Sequence, residues 1–392
     1  MALGVVLSEN QVFVTKEITE GVYVAESVAA EAIEVVSDEF TPAKALISRD
    51  NKTSSIETVA PRSSTKSISG SLEVEFKSGS AEGDAPETDV MWESLFGGKR
   101  QQTTVVTSAI THTSTLINLV DGDGAKFAVG DSVLVKEAGA FEVRPVSAVV
   151  TTASSNSITF PFALDNGAPT NNVVVSKLTT YFHQTGAPTM SITRYIGGVV
   201  RQKSVGTRSI SAELSGFETG QLAKFGFALE GLTYGPREAG TSPLVTGTFD
   251  TSQPAVILNA CIFIDGLVID ANALGLSITN EKANLTSTCS SNGNIASRFT
   301  RFSITGSVNP YLEDDDVAQW SKFDSNTTFS IFASVGNPTG VTGEIDEVTA
   351  IYLPNCKMTE FATGDQEGVA TDEIAFSCFR NLGNDIGFIS FI

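Results

Sequence analysis

A chain of 392 residues exceeds the ~100–150 residues of a typical single core, so two or three domains are expected. Its 41% apolar and 18% charged residues exclude a disordered polymer, and no run approaches the ~18 apolar residues that span a bilayer. The net charge of −20 excludes a protein that grips nucleic acid, since gripping needs Lys and Arg clustered against the phosphates.

Residues 1–40 alternate apolar and polar side chains, as in Val12-Phe13-Val14 and Val22-Tyr23-Val24, and predict strands or an extended arm. Nothing at the N-terminus resembles a basic region followed by an apolar core, so no membrane anchor is expected and the chain reads as one made in the cytosol. Residues 45–76 hold two period-2 runs around Pro61. In the second, Ile68, Leu72, Val74 and Phe76 share one face with Gly70, while Ser69, Ser71, Glu73 and Glu75 share the other, which describes a half-buried strand. The glycine-rich acidic stretch that follows, with Ser78, Gly79, Glu82 and Asp84, reads as an exposed loop. Residues 86–98 predict a helix. Glu87 and Asp89 suit the positive end of its dipole, Gly97-Gly98 can take the left-handed conformation that ends it, and Trp92 and Phe96 share a face.

From residue 101 to 177 the pattern changes to many short strands, such as Ser132-Val133-Leu134-Val135 and Ser157-Ile158-Thr159-Phe160. Asp121-Gly122-Asp123-Gly124 reads as a turn, because the glutamate that closes a calcium loop is missing. This region reads as a small inserted β domain, placed where insertions are tolerated and dispensable to the basic unit. Strands resume at Met190 and Ser209, and residues 236–254, rich in Gly, Pro, Thr and Ser, read as a linker. Residues 261–269 read as strand, tight turn and strand.

Further on, Ser303-Ile304-Thr305-Gly306-Ser307-Val308 repeats Ser67-Ile68-Ser69-Gly70-Ser71-Leu72. Each copy precedes acidic residues and a short helical pattern carrying one of the two tryptophans, Trp92 with Phe96 and Trp320 with Phe323. The chain therefore reads as one unit written twice. The expectation is a mainly β fold with minor α: a first unit of residues 1–100 and 178–235, an insert at 101–177, and a second unit at 255–392. Trp92 and Trp320 are expected to be buried anchors of each helix, and the apolar strand at 386–392 must be covered by something.

A search for chemistry returns little. His112 and His183 cannot supply three zinc ligands, and Cys261, Cys289, Cys356 and Cys378 lack close pairs and read as buried, reduced thiols. Gly97-Gly98-Lys99 ends in Arg100 where a phosphate loop needs Ser or Thr, and Ser63-Ser64-Thr65-Lys66 lacks the companion motifs of penicillin-binding enzymes. The acidic run Glu313-Asp314-Asp315-Asp316 reads as helix-start chemistry. No catalytic, cofactor or metal site is assigned. Low charge density and an apolar terminal strand suit self-association through sheet extension instead.

The order of elements resembles the tail tube proteins of long-tailed bacteriophages. Residues 62–76, the acidic loop, the helix at 86–98, the returning strands at 197–231, and Ile351-Tyr352-Leu353-Pro354 with the strands after it carry the resemblance, which rests on pattern across most of the chain outside the insert. It implies β-sandwich or barrel units with one flanking helix each, whose copies form stacked rings around an acidic channel for DNA ejection. On that reading Ile68, Gly70, Leu72, Ile304, Gly306 and Val308 lie on ring and channel strands, and residues 78–86 form the stacking loop. Two units per chain imply trimeric rings with pseudo-sixfold symmetry. The partners implied are further copies and other tail proteins, such as the tape measure and the terminator, and double-stranded DNA passes through without specific binding. The expected location is the virion tail, assembled in the bacterial host cytoplasm. Competing readings are a tail terminator, adaptor or capsid decoration protein, which forms one ring and stops, and a carbohydrate-binding or carbohydrate-active β protein.

Overall fold

The structure, a computed structural model, describes residues 10–26, 32–49, 51–52, 57–108, 111–137, 139–152, 155–170, 172–240, 253–257, 260–290, 292–312, 318–336 and 348–392. The acidic run 313–316 and most of the expected linker lie outside these residues. The fold is mainly β. Four strands open it, β1 (Gln11–Lys16), β2 (Ala32–Ile33), β3 (Ser37–Arg49) and β4 (Val59–Glu75), followed by helix α1 (Asp89–Phe96). Nine strands intervene: β5 (Gly97–Gln102), β6 (Val106–Ser108), β7 (Leu116–Leu119), β8 (Ser132–Glu137), β9 (Ala140–Pro145), β10 (Ala148–Thr152), β11 (Ser155–Thr159), β12 (Val173–Val175) and β13 (Leu178–His183). Next come β14 (Met190–Ile196), β15 (Val200–Ser215), β16 (Lys224–Gly231), β17 (Thr233–Tyr234) and β18 (Glu238–Ala239). The remainder holds β19 (Cys261–Ile264), β20 (Leu267–Ile269), β21 (Ala271–Thr286), β22 (Asn294–Pro310), α2 (Ala318–Asp324), β23 (Phe329–Val335), β24 (Thr349–Gln366), β25 (Val369–Cys378) and β26 (Phe388–Phe391).

The pairings occur twice. β1 pairs with β2 and β14, β14 with β15, β15 with β16 and β17, and β16 with β4, which pairs with β3. In the same order β19 pairs with β20 and β23, β23 with β24, β24 with β25 and β26, and β25 with β22, which pairs with β21. Even irregularities match: both β15 and β24 carry a one-residue bulge against their partners, between Ser209 and Ser211 and between Met358 and Glu360. A bulge re-aims a strand and is a designed feature, so its recurrence marks common geometry.

The repeated motif has a packing reason. Gly70 pairs with Phe40, and a Cβ added there would lie 2.5 Å from the Phe40 ring. Gly306 pairs with Phe376, and a Cβ there would lie 2.5 Å from that ring. In both copies a cross-strand aromatic occupies the space a side chain would take, as in the aromatic cover of strand glycines. Ile68, Leu72, Ile304 and Val308 beside them are buried.

Helix α1 ends on Gly97 in the left-handed conformation, φ 86°, as its sequence predicts. Trp92 is 1% exposed, with ring centroids 4.8 Å from both Phe225 and Phe227. The expectation for Trp320 fails: it is 55% exposed. Helix α2 turns Gln319 inward and lays Trp320 against Phe361 of β24, centroids 5.4 Å apart. The cysteines divide likewise. Cys356 and Cys378 are buried, but Cys261 and Cys289 are exposed, since strand edges and turns carry them.

The insert is not an outlying decoration. Its core, with Ile117, Leu134 and Ile158, is continuous with Phe263, Phe332, Tyr352 and Phe388 from the far end of the chain. Phe162 stacks on Phe263 at 5.0 Å, and Arg144 lies 5.2 Å above the same ring. β26 fills the gap between β13 and β24, and the buried Thr180 and Ser390 hydroxyls meet at 3.0 Å. That is what covers the terminal strand. The segment expected to link the two units begins as β18, paired with β15.

Two outcomes follow from this packing. Trp92→Ala should cost about 3–5 kcal/mol and lower the melting temperature by several degrees; an unchanged melt would contradict its anchoring role. Deleting residues 103–177 strips the cover from Phe263, Phe332 and Phe388, so circular dichroism should show loss of cooperative melting, whereas a soluble deletion protein with a sharp melt would show the insert to be dispensable.

Candidate assembly interface

Each strand of one long sheet can be followed along a single row of residues. Ser37 of β3 pairs with Glu73 of β4, then come Gly226 of β16, Glu213 of β15, Ser277 of β21, Thr305 of β22, Ser377 of β25 and Lys357 of β24. Eight antiparallel strands therefore run in the order β3-β4-β16-β15-β21-β22-β25-β24. Alternation of side chains gives the sheet two unlike faces. One face is apolar and buried, with Phe40, Leu72, Phe227, Ala212, Ile278, Ile304 and Phe376. The other carries the row above, made of serine, threonine, glycine and glutamate with one lysine. The motif's Ser69, Ser71, Thr305 and Ser307 belong to this second face and are exposed.

The middle of the sheet is a joint between the two copies of the unit. Ser211, Ala212, Glu213 and Leu214 of β15 pair with Thr279, Ile278, Ser277 and Leu276 of β21. Around it the β21–β22 hairpin seats on α1. The Asn280 amide donates to the Leu95 carbonyl oxygen at 2.8 Å, capping an orphan carbonyl in the last turn of the helix, and the Phe302 ring lies 5.5 Å from Phe96 and 4.5 Å from His183. The Arg208 guanidinium is buried under the hairpin, donating to the Ser297 hydroxyl at 2.7 Å and lying 5.3 Å from the Phe299 ring. Glu20 reaches across from the first unit, accepting from the Ser297 backbone N–H at 2.6 Å and pairing with Arg298 at 2.5 Å. Burial alone would raise the Glu20 pKa, but these hydrogen bonds and the Arg208 charge outweigh it and hold the carboxyl below its ordinary value. Burial pushes Arg208 and His183 down.

The ends of the sheet lack such joints. Among the described residues, the outer edge of β3 has no strand partner, and the part of β24 from Lys357 to Gln366 pairs on one side alone, with β25. Beyond Phe40 the β3 side chains are exposed on both faces, Leu46 at 63% and Ile47 at 57%. Beside the β24 edge stand Trp320, Phe323 and Phe361. The directions of the strands place the β3–β4 and β21–β22 tips on one rim of the sheet and the β24–β25 turn on the other.

The loop at 78–86 is not the free loop that its composition predicts. Ser78 and Gly79 are buried, the Glu82 carboxylate accepts from the Lys177 backbone N–H at 3.1 Å and pairs with Lys136 at 3.4 Å, and the Gly83 carbonyl oxygen accepts from Thr179 at 2.9 Å. Asp84 stays exposed. Polar composition signalled exposure, but the insert supplied partners that the local sequence does not contain. The edges themselves were illegible in sequence, because which strand lies outermost is a property of topology.

Among the described residues no His, Cys, Asp or Glu side chains group so as to hold a metal ion, and no helix is long and apolar enough to cross a membrane. A family model described as phage tail tube protein matches residues 8–378, nearly the whole chain. No curated protein matches it.

Proposed function

This chain belongs to the phage tail tube protein family, a structural component of the virion tail, and from that premise we propose that its copies close head to tail into trimeric rings, which stack to form the channel for DNA ejection. The observation that carries the proposal is the eight-stranded sheet with one joint made inside the chain and two edges that have no strand partner among the described residues. A head-to-tail contact closes into a ring when its rotation is a whole fraction of a turn. Here the chain contains the contact already, between β15 and β21.

Carrying that joint over strand by strand gives the contact between copies. Leu276 and Phe40 both lie opposite a motif glycine, Gly306 and Gly70, so β3 takes the place of β21. The matching bulges place β24 where β15 stands, with Glu360, Phe361, Ala362 and Thr363 for Ser211, Ala212, Glu213 and Leu214. In a ring, Phe361 of one copy then faces Pro42 of the next, and Ala362 faces Thr41. The bulk is exchanged across the joint: inside the chain small Ala212 faces Ile278, and between chains large Phe361 faces Pro42. Two units per chain make three chains a ring of six units, with an inner wall that is nearly sixfold and an insert that recurs three times.

The polar face of the sheet forms the channel wall. Among the described residues it carries small hydroxyls and glutamates, with Lys357 at one end and Lys224 paired to Glu73 at the other, so phosphates meet no array of cations that would hold them. The overall charge of −20 agrees. The hairpin rim of one ring meets the opposite rim of the next, which assigns stacking to the β3–β4 and β21–β22 tips in place of the 78–86 loop. The tube's length and end are then set by other tail proteins, the tape measure and the terminator.

Native mass spectrometry of isolated rings, paired with electron microscopy of the assembled protein, tests this reading. Three chains per closed ring are expected. Six complete chains per ring, or assemblies without a channel, would overturn it.

A further inference from the structure

In the internal joint the hairpin of the second unit does more than pair edges. Asn280 caps α1, Phe302 lies on Phe96, and the Lys282 ammonium is buried against Glu230 of β16 at 2.9 Å. The helix is thereby covered from the side on which β21 arrives. At the vacant end the corresponding helix, α2, stands beside β24, and although Lys322 pairs with Asp265 at 2.6 Å, no hairpin among the described residues seats on it as β21–β22 seats on α1. Trp320 is 55% exposed although its ring packs edge to face on Phe361, and Phe323 completes a three-ring cluster with centroids 5.4 to 5.8 Å apart. An exposed tryptophan within an aromatic cluster is the composition found at the centre of protein interfaces.

The surface that lacks a seat lies at the other end of the same sheet. By strand register Lys44 holds the position of Asn280, and Leu46 that of the buried Lys282. Both are exposed, Leu46 at 63%. Asn280 in the internal joint reaches a carbonyl in the last turn of α1. Lys44, a cation, suits the same station at the negative end of α2, beside an indole face that attracts cations.

We propose that the aromatic patch formed by Trp320, Phe323 and Phe361 is the socket for the β3–β4 arm of a second copy of this chain, with Lys44 seated at the C-terminal turn of α2 and Leu46 buried alongside. The inference rests on the ring reading above and deepens it by naming the side chains that make the contact between copies specific. Trp320 is then exposed in the free protomer because its cover belongs to the next chain. The two tryptophans therefore have different roles: Trp92 holds its helix to its own sheet, and Trp320 reports assembly.

The test uses the wild-type chain, in which Trp92 is inaccessible and Trp320 is the indole that a collisional quencher reaches. Acrylamide should quench about half of the tryptophan emission in the free protomer and little of it in isolated single rings, with a blue shift of the emission. Trp320→Ala should leave the free protomer's melting temperature within about 2 °C, as for a surface substitution, yet raise the concentration needed for ring formation by about tenfold or more, as for an interface anchor. Lys44→Ala should raise it less, and the double variant should be no worse than Trp320→Ala alone, since contacting residues are not additive. Rings in which Trp320 remains as quenchable as in the protomer, or strictly additive effects of the two substitutions, would overturn the socket while leaving the ring reading intact. Failure of the wild-type chain to form closed rings would overturn the ring reading itself, and the socket with it.

Discussion

The structure depends on one constraint: a strand in the middle of a sheet has backbone donors and acceptors on both sides, and each side needs a partner. β15 and β24 occupy matching places in the duplicated pattern. β15 is satisfied on its outer side by β21, and β24 from Lys357 onward has no such partner among the described residues. The same asymmetry separates β21, paired on both sides, from β3, paired on one. A chain with one such joint complete and the matching edges unpaired among the described residues supports the proposal that copies join edge to edge. In the proposed ring, fusion of the two units would make half of the joints covalent neighbours and remove part of the entropy that separate units would lose on assembly.

Much of this was readable in the sequence, and the parts that were not share a physical cause. The motif around Gly70 and Gly306 announced the duplication, because a glycine under a cross-strand ring cannot vary freely. The α1 helix and its Gly97 stop were legible because both are local. Trp320 is exposed although it lies on the apolar side of the helical pattern, because the inward face of α2 is given to Gln319. The Ser78 and Glu82 loop was misread for the converse reason: its partners, Lys136 and Lys177, come from a segment that composition alone marked as separate. Long-range contacts decide both cases.

The insert shows how far a duplicated chain can depart from equal halves. It follows α1 and has no counterpart after α2, yet its core continues into Phe263, Phe332 and Phe388 of the second unit, and β26 is clamped between β13 and β24. It thus packs against the second unit as well as the first, in support of a fixed angle between them. A fixed angle is what ring closure needs, since an error at each joint accumulates around the circle.

The most direct test of the account is a disulfide across the proposed joint between copies. Thr41→Cys and Ala362→Cys in one chain should, after mild oxidation of assembled rings, link chains into covalent trimers, because residues directly opposite on paired antiparallel strands bring their Cβ atoms to about 4.5–5.5 Å, near the reach of a disulfide. The control pair Pro42→Cys and Ala362→Cys, one residue out of register and pointing to opposite faces, should not link. Efficient linkage of the control, or rings in which the first pair never forms a bond, would contradict the claim that β24 meets β3 as β15 meets β21.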